Sequence, residues 1–335
     1  MKYETRTVGR IMLNANELPY NLSESIMQEV KDALDDIAFN RYPDEKETEL
    51  LETYGKHIGI DSACLLAGNG SDQMLGYLIG TFLGHDKTLF TNDPDFSMYD
   101  YYAASYETTV KKYKSDTYSV DEFIAMAKQE NADMILFSNP HNPTGRCLSI
   151  QEIEKIVNSF EIPVVVDEAY IEFADEQSAV TLIDTYENLF VTRTLSKAYG
   201  LAGLRVGFLI GNASRMKLLK ENFVPYALNA LSMRIACIVL QYAEAYEGVI
   251  EEIKKERERV YHVLEKIQGV QVLPSKTNFL YCQLDDKERL LKKFAERGIV
   301  LRNYNDASSF RITIGSKADN DEVIAVLEAY SREVM

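Results

Sequence analysis

The chain has no tryptophan, and only four cysteines and four histidines in 335 residues. The cysteines (Cys64, Cys147, Cys237, Cys282) are scattered and form no C-x-x-C pair, which excludes a disulfide framework and a zinc ribbon. The histidines (His57, His85, His141, His262) lack ligand spacing, so no metal is expected. No run reaches the roughly 18 apolar residues that span a bilayer, and the opening MKYETRTVGR has no apolar signal-peptide core. A cytoplasmic protein with reduced thiols and no membrane partner is therefore expected. Basic residues are in deficit: 36 Lys and Arg stand against 52 Asp and Glu, for a net charge of -16. Such a surface repels polyphosphates, so no nucleic acid is expected either. An anionic small molecule would need arginines placed locally.

What is present is an ordinary globular composition, 46% hydrophobic and 26% charged, long enough for about two domains. From about residue 70 to 210, helical and strand-like patterns alternate. Val120, Phe123, Ile124 and Ala127 recur at helical spacing before the apolar run Met134 to Phe137. Ser149 and Glu152 form a capping box ahead of the stripe Ile150, Ile153, Ile156, Val157 and Phe160. The β-branched run Ile162 to Val166 then ends at Asp167. This alternation predicts an α/β fold with a mostly parallel sheet covered on both faces, and ligands beyond the carboxyl ends of its strands. The stretch Ser232 to Gln268 is helix-forming and ends at Gly269, and it predicts one long helix bridging two domains. Beyond it, Phe279 to Leu284, Ile299 to Leu301 and Phe310 to Ile314 read as strands. With helices at Lys287 to Arg297 and Asn320 to Arg332, they predict a small α+β unit.

The most specific segment is Thr194-Leu195-Ser196-Lys197-Ala198-Tyr199-Gly200-Leu201-Ala202-Gly203-Leu204-Arg205-Val206-Gly207. It follows the apolar run Leu189 to Val191 and puts one lysine beside two hydroxyls and an arginine. A lysine near cations or in a dry site loses its proton readily and can condense with an aldehyde. Hydroxyls and a guanidinium suit a phosphate. Asp167, at the end of a buried strand, reads as a partner for a cation or as a helix N-cap. Opposite charges about 4 Å apart at an effective dielectric of about 20 attract by roughly 4 kcal/mol, about three pKa units, enough to keep a weak base beside it protonated. Asn142, in HNPTG, reads as a turn residue. Gly70 and Ser71 read as a glycine turn opening a helix, whose free N–H groups suit an anion. Phe96 reads as a core aromatic, Arg311 as a charge on the polar face of a period-two strand, and the segment around Tyr20 as a terminal tail.

Together with LNANE (Leu13 to Glu17), NRYP (Asn40 to Pro43), GNGSDQ (Gly68 to Gln73), NPHNPTG (Asn139 to Gly145), VDEAYIEF (Val166 to Phe173), LRNY and FRITIG, the lysine segment resembles fold-type I pyridoxal-phosphate (PLP) aminotransferases. In detail it is similar to the histidinol-phosphate aminotransferase family. The resemblance implies a seven-stranded, mostly parallel sheet in a large domain (26–231), an N-terminal arm (1–25) at the substrate entrance, and a small α+β domain (232–335) entered by a long helix. It implies pyridoxal 5'-phosphate as cofactor, with Lys197 the catalytic lysine. Gly70, Ser71, Thr194, Ser196 and Arg205 would hold the phosphate, Phe96 would stack on the ring, and Asp167 would face the ring nitrogen. Asn142 and Tyr170 would face the phenolic oxygen. Tyr42 would reach the phosphate of a neighbouring subunit, making the active unit a homodimer. Tyr20, Asn142, Arg302 and Arg311 would contact substrate, Arg311 through a carboxylate.

Two departures from the family pattern bear on specificity: Phe96 stands where many similar enzymes carry tyrosine, and the loop from Arg302 to Arg311 looks short. The implied reaction is a ping-pong transamination between a small-molecule amino donor and a 2-oxo acid, for the histidine pathway histidinol phosphate and 2-oxoglutarate. An aromatic amino-acid aminotransferase, a threonine-phosphate decarboxylase and a PLP-sensing binding module are the competing readings.

Overall fold

The computed structural model describes residues 9–115 and 117–334; residues 1–8, most of the opening read above for a signal sequence, lie outside the described residues. Among the described residues twelve strands follow in chain order: β1 (Ile11–Leu13), β2 (Leu65–Asn69), β3 (Thr88–Asn92), β4 (Thr109–Tyr113), β5 (Met134–Ser138), β6 (Val164–Asp167), β7 (Leu189–Thr194), β8 (Val206–Gly211), β9 (Gln271–Val272), β10 (Phe279–Gln283), β11 (Ile299–Asn303) and β12 (Ser309–Thr313). They form two sheets.

The larger sheet has seven strands in the order β2-β8-β7-β6-β5-β3-β4. β4, β3, β5, β6 and β7 are parallel, whereas β8 runs against both of its neighbours. Every residue of β5, β6, β7 and β8 is buried, as the unbroken apolar runs of a sheet covered on both faces demand. Each Val or Leu there contributes about 1.5–3 kcal/mol by leaving water. One cover is the helix Ser71–Phe82, which turns Met74, Leu75, Leu78 and Ile79 inward. Another is Ile150–Val157, which starts at the predicted capping box with both reciprocal hydrogen bonds formed.

The smaller sheet has five strands in the order β1-β11-β12-β10-β9. Its outer strand β1 comes from the N-terminal arm and runs parallel to β11. The predicted long helix is two: Ala230–Gln241 and Ala245–Leu264. Between them Tyr242, Ala243 and Ala245 donate to Val239, Leu240 and Tyr242, tight three-residue turns that end the helical ladder. The two halves have different partners. The first packs on Glu24–Ala33 and Thr48–Ile58, the second on Lys317–Val334 and the smaller sheet. Among the described residues no helix is long and apolar enough to cross a membrane, and no His/Cys/Asp/Glu group could hold a metal.

Candidate active site

Strand direction gathers the candidate residues. β2, β3, β5, β6 and β7 all end on one edge of the larger sheet, and the reversed β8 begins there. Gly70, Phe96, Asn142, Asp167 and Lys197 follow or end the first group, and Arg205 precedes β8. This is the crevice in which parallel sheets hold ligands.

Asp167 closes β6 and is 3% exposed. Its Oδ1 accepts from Thr192 Oγ1 and its Oδ2 from the Tyr99 hydroxyl, both at 2.9 Å. Burial pushes the carboxyl up to about 6 although both donors pull it down. A cation arriving beside it would reverse that penalty. The alternative of a helix N-cap falls away, since the side chain is taken up by β7 and by the helix Met98–Ser105.

Lys197 lies just past β7, and its Nζ donates to the Ala15 carbonyl of the arm at 2.9 Å. Burial lowers its pKa to about 8, and the charges of Arg311 and Arg205 push the same way against Asp72 and Glu17. An amine so placed supplies its neutral, nucleophilic form near physiological pH.

One end of the crevice offers an anion backbone N–H groups and a guanidinium. Gly70 has φ 82 and precedes Ser71–Phe82 without a side-chain cap, so the first N–H groups of that helix face outward. Arg205, itself left-handed with φ 55, donates from Nη2 to Asp72 Oδ2 at 2.7 Å. A Cβ on Gly70 would stand 2.7 Å from that Nη2, and one on Gly207 only 2.1 Å from Ser71 N. Glycine is required at both for this approach. Thr194 Oγ1 and Ser196 Oγ lie 2.9 Å apart beside the same turn.

Arg311 is buried rather than solvated, at 7% exposure, because both faces of β12 are covered. Nη1 donates to Asn142 Oδ1 at 2.6 Å and Nη2 to the Asn14 carbonyl at 3.2 Å, while Nε has no partner among the described residues. Arg302 stands directly opposite it in the β11–β12 register. Like charges facing each other across a strand pair are unfavourable unless an anion joins them. Asn142 spends its oxygen on Arg311, so its NH2 donor is left for the crevice.

Other expected residues are placed less centrally. The Tyr20 hydroxyl donates to Glu252 Oε1 at 2.7 Å, so this tyrosine is tied to the helix Ala245–Leu264. Phe96 meets Tyr99 edge-on at 5.7 Å. Tyr42 is 83% exposed and stacks on Tyr226 at 4.8 Å. Sequence reading missed Tyr99 and Thr192, which hold Asp167. It also missed Asp95, which accepts from Ser138 Oγ at 2.6 Å, Ser138 Oγ in turn accepting from Asn142 N at 3.0 Å. Asn16, bonded to the Tyr170 hydroxyl at 2.9 Å, was the fourth.

A carboxylate for a ring nitrogen, a near-neutral amine for an aldehyde, and an uncapped helix start with an arginine for a phosphate match the polar groups of PLP in kind. The comparisons with known proteins agree. The family model "Aminotransferase class I and II" matches residues 9–327. The histidinol-phosphate aminotransferase of Caldanaerobacter subterraneus subsp. tengcongensis is 35% identical, covering 97% of this chain and 94% of that protein. In fold, the histidinol-phosphate aminotransferase of Sinorhizobium meliloti, solved in complex with pyridoxal-5'-phosphate, superposes with a TM-score of 0.87 at 22% identity over 98% of this chain and 92% of that one. The L-threonine-O-3-phosphate decarboxylase of Porphyromonas gingivalis gives 0.84 at 26% identity over 96% and 99%. The chain belongs to the class I and II aminotransferase family.

Proposed function

We propose that this protein is a PLP-dependent aminotransferase that exchanges the amino group between histidinol phosphate and 2-oxoglutarate, yielding imidazole-acetol phosphate and glutamate by a ping-pong mechanism. The observation that carries the reading is Lys197, an amine brought down to about 8 on the same sheet edge as the buried Asp167. The names of the relatives matched over nearly the whole chain support the donor.

PLP, when bound, supplies an electron sink for the substrate's α-carbanion. Gly70, Ser71, Thr194, Ser196 and Arg205 would hold its phosphate, Phe96 would lie on its ring, and Asp167 would keep the ring nitrogen protonated. The chain's own contribution to the chemistry is then proton movement and orientation. Lys197 Nζ takes the α-proton and returns it, which its lowered pKa suits. Asn142 and Tyr170 would donate to the cofactor's phenolic oxygen. Arg311 grips the carboxylate of the dicarboxylic acid as a fork. Arg302, opposite it in register, takes the second anionic group, phosphate in one half-reaction and distal carboxylate in the other; Tyr20 completes the entrance. Division into an arm (1–25), a large domain (26–231) and a small domain (232–335) allows closure over the substrate.

We further read the active unit as a cytoplasmic homodimer in which Tyr42 reaches the partner's site. The exposed Tyr42 and Tyr226, stacked on each other at 4.8 Å, support it, since contiguous apolar surface left facing solvent marks an interaction site.

Turnover assays with histidinol phosphate, phenylalanine and threonine phosphate as donors test the substrate. Fastest amino transfer from histidinol phosphate is expected. Carbon dioxide release from threonine phosphate would move the assignment to the decarboxylase, and preference for phenylalanine to an aromatic aminotransferase. Lys197→Ala should abolish turnover and the borohydride-reducible visible band; persistence of either removes the lysine from its role.

A further inference from the structure

Asn16 falls within LNANE but was given no role of its own from the sequence, yet its side chain is one of the most fully engaged at the site. It is 1% exposed and left-handed, with φ 55, a conformation that asparagine tolerates better than most residues. Its backbone N–H donates to Thr313 Oγ1 at 3.0 Å. Thr313 Oγ1 in turn lies 3.0 Å from Asn16 Oδ1. A hydroxyl has one proton, and a carbonyl oxygen can only accept, so the Thr313 proton points at Oδ1. With the amide in that orientation, Nδ2 is the group 2.9 Å from the Tyr170 hydroxyl. Nδ2 has no lone pair to offer, so Tyr170 oxygen accepts there, and its own proton must go elsewhere. Among the described residues that hydroxyl has no second partner.

We propose that Asn16 is a positioning residue that orients Tyr170: the arm amide occupies the phenol oxygen as a donor and so commits the phenol's proton to the crevice, where the phenolic oxygen of the cofactor is bound. The inference deepens the proposed function and rests on it. Burial raises the Tyr170 pKa, and the nearby Arg311 charge and then the Asn16 hydrogen bond oppose the rise, so the same contact makes Tyr170 a stronger donor. The contact also spans the molecule. Asn16 lies past β1, Thr313 ends β12, and Asn278, which donates to the Asn16 carbonyl at 3.1 Å, precedes β10, whereas Tyr170 follows β6 of the other sheet. Seating of the arm between the two sheets is thus what sets the phenol.

The test is a pH titration of the visible absorption of PLP-loaded protein in four forms: parent, Asn16→Ala, Tyr170→Phe and the double variant. A donor to the phenolic oxygen stabilises its anion and lowers the pH at which the bound chromophore loses its proton. Weakening that donor should raise the midpoint by about 0.5–1 pH unit in Asn16→Ala, the size expected for one neutral hydrogen bond. In the Tyr170→Phe background the same substitution should shift nothing further. No shift in the parent background, or equal shifts in both, overturns the proposal. Should Asn16→Ala fail to load cofactor, Thr313→Val releases the amide while keeping Asn16. It is expected to move the midpoint upward by a smaller amount, and an unmoved midpoint overturns the proposal equally. A parent protein with no titrating visible band defeats the PLP reading itself, an outcome distinct from variants that leave a normal band in place.

Discussion

Arg311 Nη1 donates to Asn142 Oδ1 across 2.6 Å, joining β12 of the smaller sheet to the turn beyond β5 of the larger. A buried guanidinium held only by neutral oxygens is an anion receptor, since a buried charge without a counter-charge is costly. Arg311→Lys keeps the charge but loses the fork. One or two charge-assisted hydrogen bonds, each worth about 1.5–3 kcal/mol, predict a fall of roughly 100-fold in kcat/KM for 2-oxoglutarate, largely through KM. Steady-state kinetics check this, and an unchanged KM would remove Arg311 from carboxylate binding.

Asp95 makes stability depend on pH. Burial pushes its carboxyl up to about 7, against donors from Ser138, Phe96 and Asn92, and Glu172 is raised to about 7 in the same way. A folded-state pKa above the unfolded value of about 3.9 means that the native state holds the proton longer. The stability contributed by these groups is therefore fully present below about pH 4 and is lost as pH rises through about 7. Cofactor-free protein should melt at a lower temperature at pH 8 than at pH 5, and Asp95→Asn should narrow the difference. Calorimetry at the two pH values decides, and an Asp95→Asn curve parallel to the parent's counts against it.

Gly207→Ala tests the phosphate turn. An added methyl would meet Ser71 N at 2.1 Å and Gly70 C at 2.3 Å, both backbone atoms that cannot swing aside. Overpacking of this kind costs about 1–3 kcal/mol. Both a lower melting temperature and weaker PLP affinity are expected, because the displaced atoms are those that would face the phosphate. A variant that binds PLP as the parent does would place the anion elsewhere.

Sedimentation equilibrium should give twice the chain mass. Tyr42→Ala should weaken PLP retention while leaving the Lys197 environment of each chain intact, because Tyr42 lies on the exposed face with Tyr226. A monomer that is fully active would exclude the shared site.

The residues legible in the sequence were those whose role is announced by their immediate neighbours. Asp167 ends an apolar strand run, Lys197 follows closely on another, and Gly70 opens an apolar helix, so strand direction alone brings them to one edge. Arg311 misled the alternation argument: period two assigns it a polar face, but neither face of β12 is open to solvent. The helix break at Tyr242–Glu244 carries no glycine or proline, because it follows from two halves packing on different partners. Asn16 was invisible for a different reason. Its meaning depends on Thr313, 297 positions away, and no local pattern reports such a contact. Tyr99 and Asp95 lie close to Phe96 in sequence, yet their bonds to Asp167 and Ser138 come from distant strands.

Ile11–Leu13 lies at the rim of the five-stranded sheet and pairs with β11. Stripping this short ribbon would bare a row of unsatisfied amides and carbonyls along β11, the template on which chains self-associate. A variant shortened past Leu13 would accordingly become sticky in solution, so this short ribbon, which leads into the Ala15 carbonyl that Lys197 holds, also guards the molecule against clumping.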